Sequence, residues 1–147
     1  MREVEKYNAN VIAENRALGE LDHPPEAVIN LKNVSHNIVK CWWNGDDLIG
    51  KLEILNTPCG NIAKALFEAG IPVGISSRAL GSVKNIGENT VEVQDDLELV
   101  AWDLVSNPSV SKAFLHPINE SVNKDLLIKL DNTERINEII REILTTI

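Results

Sequence analysis

The stretch Ser35–Leu55, SHNIVKCWWNGDDLIGKLEIL, decides the fold class. Two runs rich in Val, Ile, Leu and Trp, Ser35–Trp43 and Leu48–Leu55, flank Asn44-Gly45-Asp46-Asp47. An Asn-Gly pair between two such runs is a strong hairpin signal. Toward the C-terminus, Thr57 offers an N-cap and Pro58 a first-turn proline. Ile62, Ala63, Leu66 and Ala69 then form a stripe ending at Gly70, which predicts a short helix. Pro72–Arg78, Val91–Gln94 and Leu97–Val105 read as further strands, and Ser106-Asn107-Pro108-Ser109 ends the sheet region. Toward the N-terminus, Val4, Tyr7, Val11, Ile12 and Leu18 recur near helical spacing, predicting a helix over 2–18 capped at Gly19. The segment GELDHPPEAVINL, residues 19–31, cannot continue that helix through two prolines and reads as a loop.

Far downstream, Asp131 and Glu134 form a capping box ahead of Ile136, Ile139, Ile140, Ile143, Leu144 and Ile147. This predicts a C-terminal amphipathic helix whose apolar stripe is buried on the sheet or against another copy of the chain, a homo-oligomer. The order of elements is that of an α+β fold with a mainly antiparallel sheet flanked by helices.

At 147 residues the chain is the size of one domain, and its 44% apolar and 24% charged composition is that of an ordinary globular protein. Fourteen basic against 22 acidic residues give a net charge of −8, and Ile86–Ser106 holds six acidic residues without one Lys or Arg. Nucleic-acid binding draws on clustered cations, so no nucleic-acid partner is expected. No apolar run has the length of a membrane span, and the charged start, MREVEKYN, is unlike a signal peptide. Two cysteines, Cys41 and Cys59, make no disulfide framework and suit a reducing compartment. A soluble cytosolic domain without a membrane partner is the expectation.

Three histidines offer candidates for chemistry, without the spacing of a metal site. His36, at the start of a strand, and His116, beside Pro117, read as surface residues. His23 is held between Asp22 and Pro24-Pro25, a rigid mount suited either to a general base or to a structural turn. In Val73–Gly81, strand alternation puts Val73, Ile75 and Ser77 on one face and Gly74, Ser76 and Arg78 on the other. Gly74 would leave open space beside the Ser76 hydroxyl for a substrate backbone; the alternative is a strand with polar edge residues. Asp103 interrupts an apolar strand, where a carboxylate is costly unless paired, with a histidine as one partner and solvent as the other reading.

Four segments together resemble the prohead proteases of large tailed phages, a family similar in fold to the herpesvirus assembly proteases. They are GELDHPP at 19–25, the hairpin with Trp42-Trp43 and Gly45, VGISSRALGSV at 73–83, and WDLVSNPSVSKAF at 102–114. The resemblance implies a partly closed barrel, with a protease-like domain over 1–114 and a linker and helix over 115–147. It also implies a serine endopeptidase with His23 as base and Ser76 as nucleophile, Ser77 being the alternative nucleophile. Asp103 is carried over as the orienter of His23, and Arg78 as support for the oxyanion loop or as a reader of an acidic substrate side chain. Ala79 stands where the family commonly has Gly, and the chain begins after the family's first, Asn-rich segment.

The function so implied is capsid maturation inside the assembling prohead in the host cytoplasm. Capsid and scaffold proteins are the substrates, cut after Glu, with no cofactor and no metal. Self-cleavage is expected after Glu120, in Ile118-Asn119-Glu120. A protease-like scaffold or assembly protein without activity is the alternative. A small-molecule enzyme with a Ser-Asp site lacks a phosphate loop or cofactor motif.

Overall fold

The computed structural model describes residues 2–87 and 90–118, together with the backbone of 145 and 146. The hairpin forms as read. Strands β2 (Val34–Asn44) and β3 (Asp47–Ile54) pair antiparallel around a two-residue turn in which Gly45 has φ +62°. A glycine with positive φ at the first turn position suits the right-handed twist of the flanking strands. Helix α2 (Pro58–Glu68) follows; the Thr57 hydroxyl accepts the Gly60 N–H at 3.0 Å, and Gly70 turns the chain at φ +73°. Its Ala63 is fully buried while Ile62 is half exposed, so the packed stripe is Ala63 with Leu66 and Phe67.

The N-terminal helix is shorter than its periodicity suggests. Helix α1 (Arg2–Tyr7) passes into a π-helical turn, Asn8–Ile12, and the chain reverses at Asn15, whose φ is +54°. Gly19 caps nothing: it lies in strand β1 (Leu18–Glu20), paired with β2 through Gly19 and His36. A Cβ on Gly19 would fall 2.1 Å from the Trp102 carbonyl oxygen and 2.3 Å from the His36 ring. Close packing, not a left-handed turn, is what requires glycine there.

Strands β4 (Gly74–Leu80) and β7 (Glu98–Val105) form a second antiparallel sheet. On the other side of β4, Ile75 N–H donates to Ala113 O at 2.8 Å and Leu115 N–H to Val73 O at 2.9 Å. A third pair, β5 (Val83–Gly87) with β6 (Thr90–Val93), is an exposed ribbon. The β5 strand, carrying Lys84 and Asn85 among its few apolar residues, was not expected from the sequence. At its base Asp96 accepts from Ser82 N–H and Oγ, which holds that carboxyl below its ordinary range.

Strand β8 (Thr145–Thr146) pairs antiparallel with β3 at Ile49 and Gly50, so these two residues are extended where the sequence predicts helix. The rest of the expected C-terminal helix, including its capping box, lies outside the described residues. The fold is mixed α/β with mostly antiparallel sheets of four, two and two strands, and no closed barrel forms among the described residues.

Among the described residues the core has two clusters. Tyr7, Ala17, Ile38, Leu48, Ile75 and Trp102 belong to the first; Ala63, Val73 and Leu104 make the second under α2. Strand β7 serves both through one face, with Trp102 and Leu104. The opposite face presents Asp103.

Candidate active site

The site grows from the seam between β1, β4 and β7. Register places Ser76 directly opposite Asp103 and Arg78 opposite Ala101, so Ser76, Arg78 and Asp103 share one face. Leu21 bridges Leu104 in parallel, and Asp22 N–H donates to Leu104 O at 2.8 Å. Asp22 then takes φ +67°, a conformation that Asp tolerates better than most residues, and this turns His23 toward Asp103. His23 Nδ1 stands 3.2 Å from Asp103 Oδ2. The imidazole is 41% exposed and the carboxylate fully buried, so one end of the pair faces solvent.

Asp103 is heavily engaged. Its Oδ1 accepts from the Glu20 N–H at 3.1 Å and from Arg78 Nη2 at 3.0 Å, and its Oδ2 lies 3.0 Å from Arg78 Nε. Burial pushes the Asp103 carboxyl above its ordinary range, against the opposing pull of the Glu20 N–H, Arg78 and His23. Since a carboxylate only accepts, a hydrogen bond between Asp103 and His23 would require the proton on Nδ1; at 3.2 Å the two atoms stand at ion-pair distance without one.

Ser76 is half-buried and Ser77 exposed, on opposite faces as alternation requires. Among the described residues no hydrogen bond joins His23 to either hydroxyl. Gly74 does not leave open space beside Ser76. A Cβ there would lie 2.5 Å from Pro108 Cγ, so the glycine receives the ring of buried Pro108. The glycine and the proline of the two motifs thus serve the same contact.

Arg78 is turned into the protein. Its side chain is 5% exposed; Nη1 donates to Glu26 O at 2.7 Å and Nη2 approaches Glu20 Oε2 at 3.6 Å, besides the contacts with Asp103. Nη1 and Nη2 thus donate to groups inside the protein, while Nε lies at ion-pair distance from Asp103 without a hydrogen bond.

His36 is likewise not a surface residue. It is fully buried, with Nε2 2.9 Å from Trp102 O and Nδ1 2.9 Å from Ser35 Oγ. The carbonyl can only accept, so Nε2 carries the proton and Ser35 donates to Nδ1. Burial lowers its pKa to about 4. His116 is exposed as expected, and Cys41 and Cys59 are free thiols. Among the described residues no group of three or more His, Cys, Asp or Glu is placed to hold a metal ion.

Glu20 is the residue that sequence reasoning missed. It is fully buried at the end of β1, and its Oε1 accepts the Asn30 N–H in a short hydrogen bond. Its only signal in the sequence is its place within GELDHPP, three residues before His23.

Residues 1–123 match the family model described as prohead core protein serine protease. The chain belongs to that family. It is 33% identical over 117 residues to the prohead core protein protease of Enterobacteria phage T4, covering 78% of this chain and 55% of that protein. The chain therefore spans about half the length of the curated relative it matches. A solved structure of the bacteriophage T4 capsid assembly protease superposes with a TM-score of 0.66 at 31% identity, covering 73% of this chain and 67% of the other. At the seam of β1, β4 and β7 the structure brings His23 to Asp103 and sets Ser76 opposite Asp103 in the strand register.

Proposed function

We propose that this chain carries the catalytic centre of a prohead maturation protease, with Ser76 as nucleophile, His23 as general base and Asp103 as the group that orients the base. The observation that carries this reading is the 3.2 Å contact of His23 Nδ1 with Asp103, on the carboxylate that lies opposite Ser76 across the ladder. In this scheme Ser76 Oγ attacks the scissile carbonyl and His23 Nε2 takes its proton. His23 later returns the proton to the leaving amine, and Asp103 stabilises the imidazolium without itself being protonated. Apo enzymes often hold the base and nucleophile further apart than the reacting complex does, so the absence of a resting hydrogen bond is compatible with this chemistry. Ser77 is disfavoured as nucleophile because its side chain leaves β4 on the face away from Asp103.

The substrates are scaffold and capsid proteins cleaved after Glu within the assembling prohead, a reading supported by membership of the family. Self-cleavage after Glu120 belongs to the same proposal, although that site lies outside the described residues. A serine-reactive phosphonate tests the centre directly. It is expected to label the wild type and not Ser76→Ala; equal labelling of both, or none of a folded wild type, would overturn the assignment.

A further inference from the structure

Glu20, Arg78 and Asp103 form a buried group of two carboxylates around one guanidinium. Counted as ions, the group is one positive charge short. Buried charge that is not balanced is costly, and among the described residues the group that can supply a positive charge beside Asp103, when protonated, is His23, at 3.2 Å. Had Arg78 only Asp103 to pair with, its contacts at 3.0 Å to both oxygens would largely cancel the field that Asp103 exerts on His23. Glu20 restores that deficit from the far side of the guanidinium. It also acts on the backbone: its Oε1 takes the Asn30 N–H while Arg78 takes Glu26 O, which fastens the loop bearing His23 at two points.

We propose that Glu20 is a positioning residue for the histidine base: by sharing Arg78 with Asp103 it keeps the buried group net negative, and by holding Asn30 it fixes the loop on which His23 is mounted. This rests on the reading of His23 as base. Other charged or titratable groups near the pair are few. Asp22 and Glu26 lie exposed on the same loop, and Tyr7 of α1 feels the charge of Asp103 from the core side.

The test is Glu20→Gln, which keeps an acceptor for Asn30 and removes the charge. The expected result is a fall of about tenfold or more in kcat with KM little changed, and an acid limb of the pH–rate profile displaced to lower pH by about half a unit or more. The His23 Cε1–H resonance is expected to titrate at lower pH in the variant than in the wild type. That readout needs no substrate, so it stands even if the chain proves to have no protease activity. Glu20→Asp keeps the charge but shortens the reach; it should lose rate with the limb and the resonance unmoved. Should Glu20→Gln fail to fold, Glu20→Asp decides alone: a folded Glu20→Asp with a displaced limb overturns the proposal. A folded Glu20→Gln with both limb and His23 titration unchanged overturns it as well.

Discussion

His23 and His36 both meet strand β7, at neighbouring residues, and are used in opposite ways. His36 crosses β1 through the space left by Gly19 and ends on the Trp102 carbonyl, sealed from water. His23 reaches the Asp103 carboxylate from the surface and keeps its other nitrogen open. A carbonyl in a dry site favours a neutral, fixed ring. A carboxylate beside solvent holds a ring that stays open to an incoming molecule. The partner and the access to water, not the residue type, separate a structural histidine from a candidate base.

The comparison breaks most sharply on substitution of each ring. His23→Ala is expected to lower kcat on the order of 10⁴-fold or more, with a loss of stability smaller than that of His36→Ala, because the ring is part-exposed and water can reach the Asp103 carboxylate in its place. His36→Ala should do the reverse: a loss of about 2–4 kcal/mol in denaturant unfolding, from a cavity and an orphaned carbonyl. Equal stability losses for the two variants would erase the distinction.

Asp103→Asn joins both effects. A rate loss of roughly 10³–10⁴-fold is expected, because an amide can present its N–H toward Nδ1 and so favour the wrong tautomer. Unlike a surface change, it also leaves Arg78 with a weaker partner in a buried site, so a lower midpoint should accompany the loss. Wild-type turnover in this variant would remove Asp103 from the mechanism.

Acid sharpens the contrast further. The unfolded His36 ring takes a proton near its ordinary value of 6.5, whereas the folded ring does so only near pH 4. Between these values the unfolded state binds more protons, so the stability present above pH 6.5 falls as pH drops toward 4. The loss from this group is on the order of 3 kcal/mol. In His36→Gln, whose amide can still donate to Trp102 O, unfolding free energy should depend less steeply on pH across that window. An unchanged slope would place the acid sensitivity elsewhere.

The smallest expected effect is at Ser77. Its side chain is exposed and on the face away from Asp103, so Ser77→Ala should leave peptide turnover within about twofold and stability within about 0.5 kcal/mol. A loss of turnover there, with Ser76→Ala active, would transfer the nucleophile role.

Much of the scaffold was legible locally. The hairpin at Asn44–Asp47 and the helix begun by Thr57-Pro58 depend on turn and cap chemistry within a few residues, and both formed where the sequence put them. The opposite facing of Ser76 and Ser77 follows from strand alternation alone. Three readings failed because the deciding contact lies far along the chain. Gly19 was read as a cap, but its neighbour is Trp102; Gly74 was read as open space, but Pro108 fills it. Helix periodicity over 2–18 was interrupted at Asn15, whose Oδ1 accepts from Asn37 Nδ2 at 2.8 Å.

By itself, then, the sequence determined the β2–β3 hairpin, helix α2, the two faces of β4 and the residue types able to act as nucleophile, base and acid. The tertiary structure alone decided which histidine meets a carboxylate, that Arg78 is turned inward, and that Glu20 completes a buried charge group. Turns and caps are settled by neighbours along the chain. The state of an ionisable side chain depends on burial and on partners brought from β1, β4 and β7, up to 83 residues apart between Glu20 and Asp103.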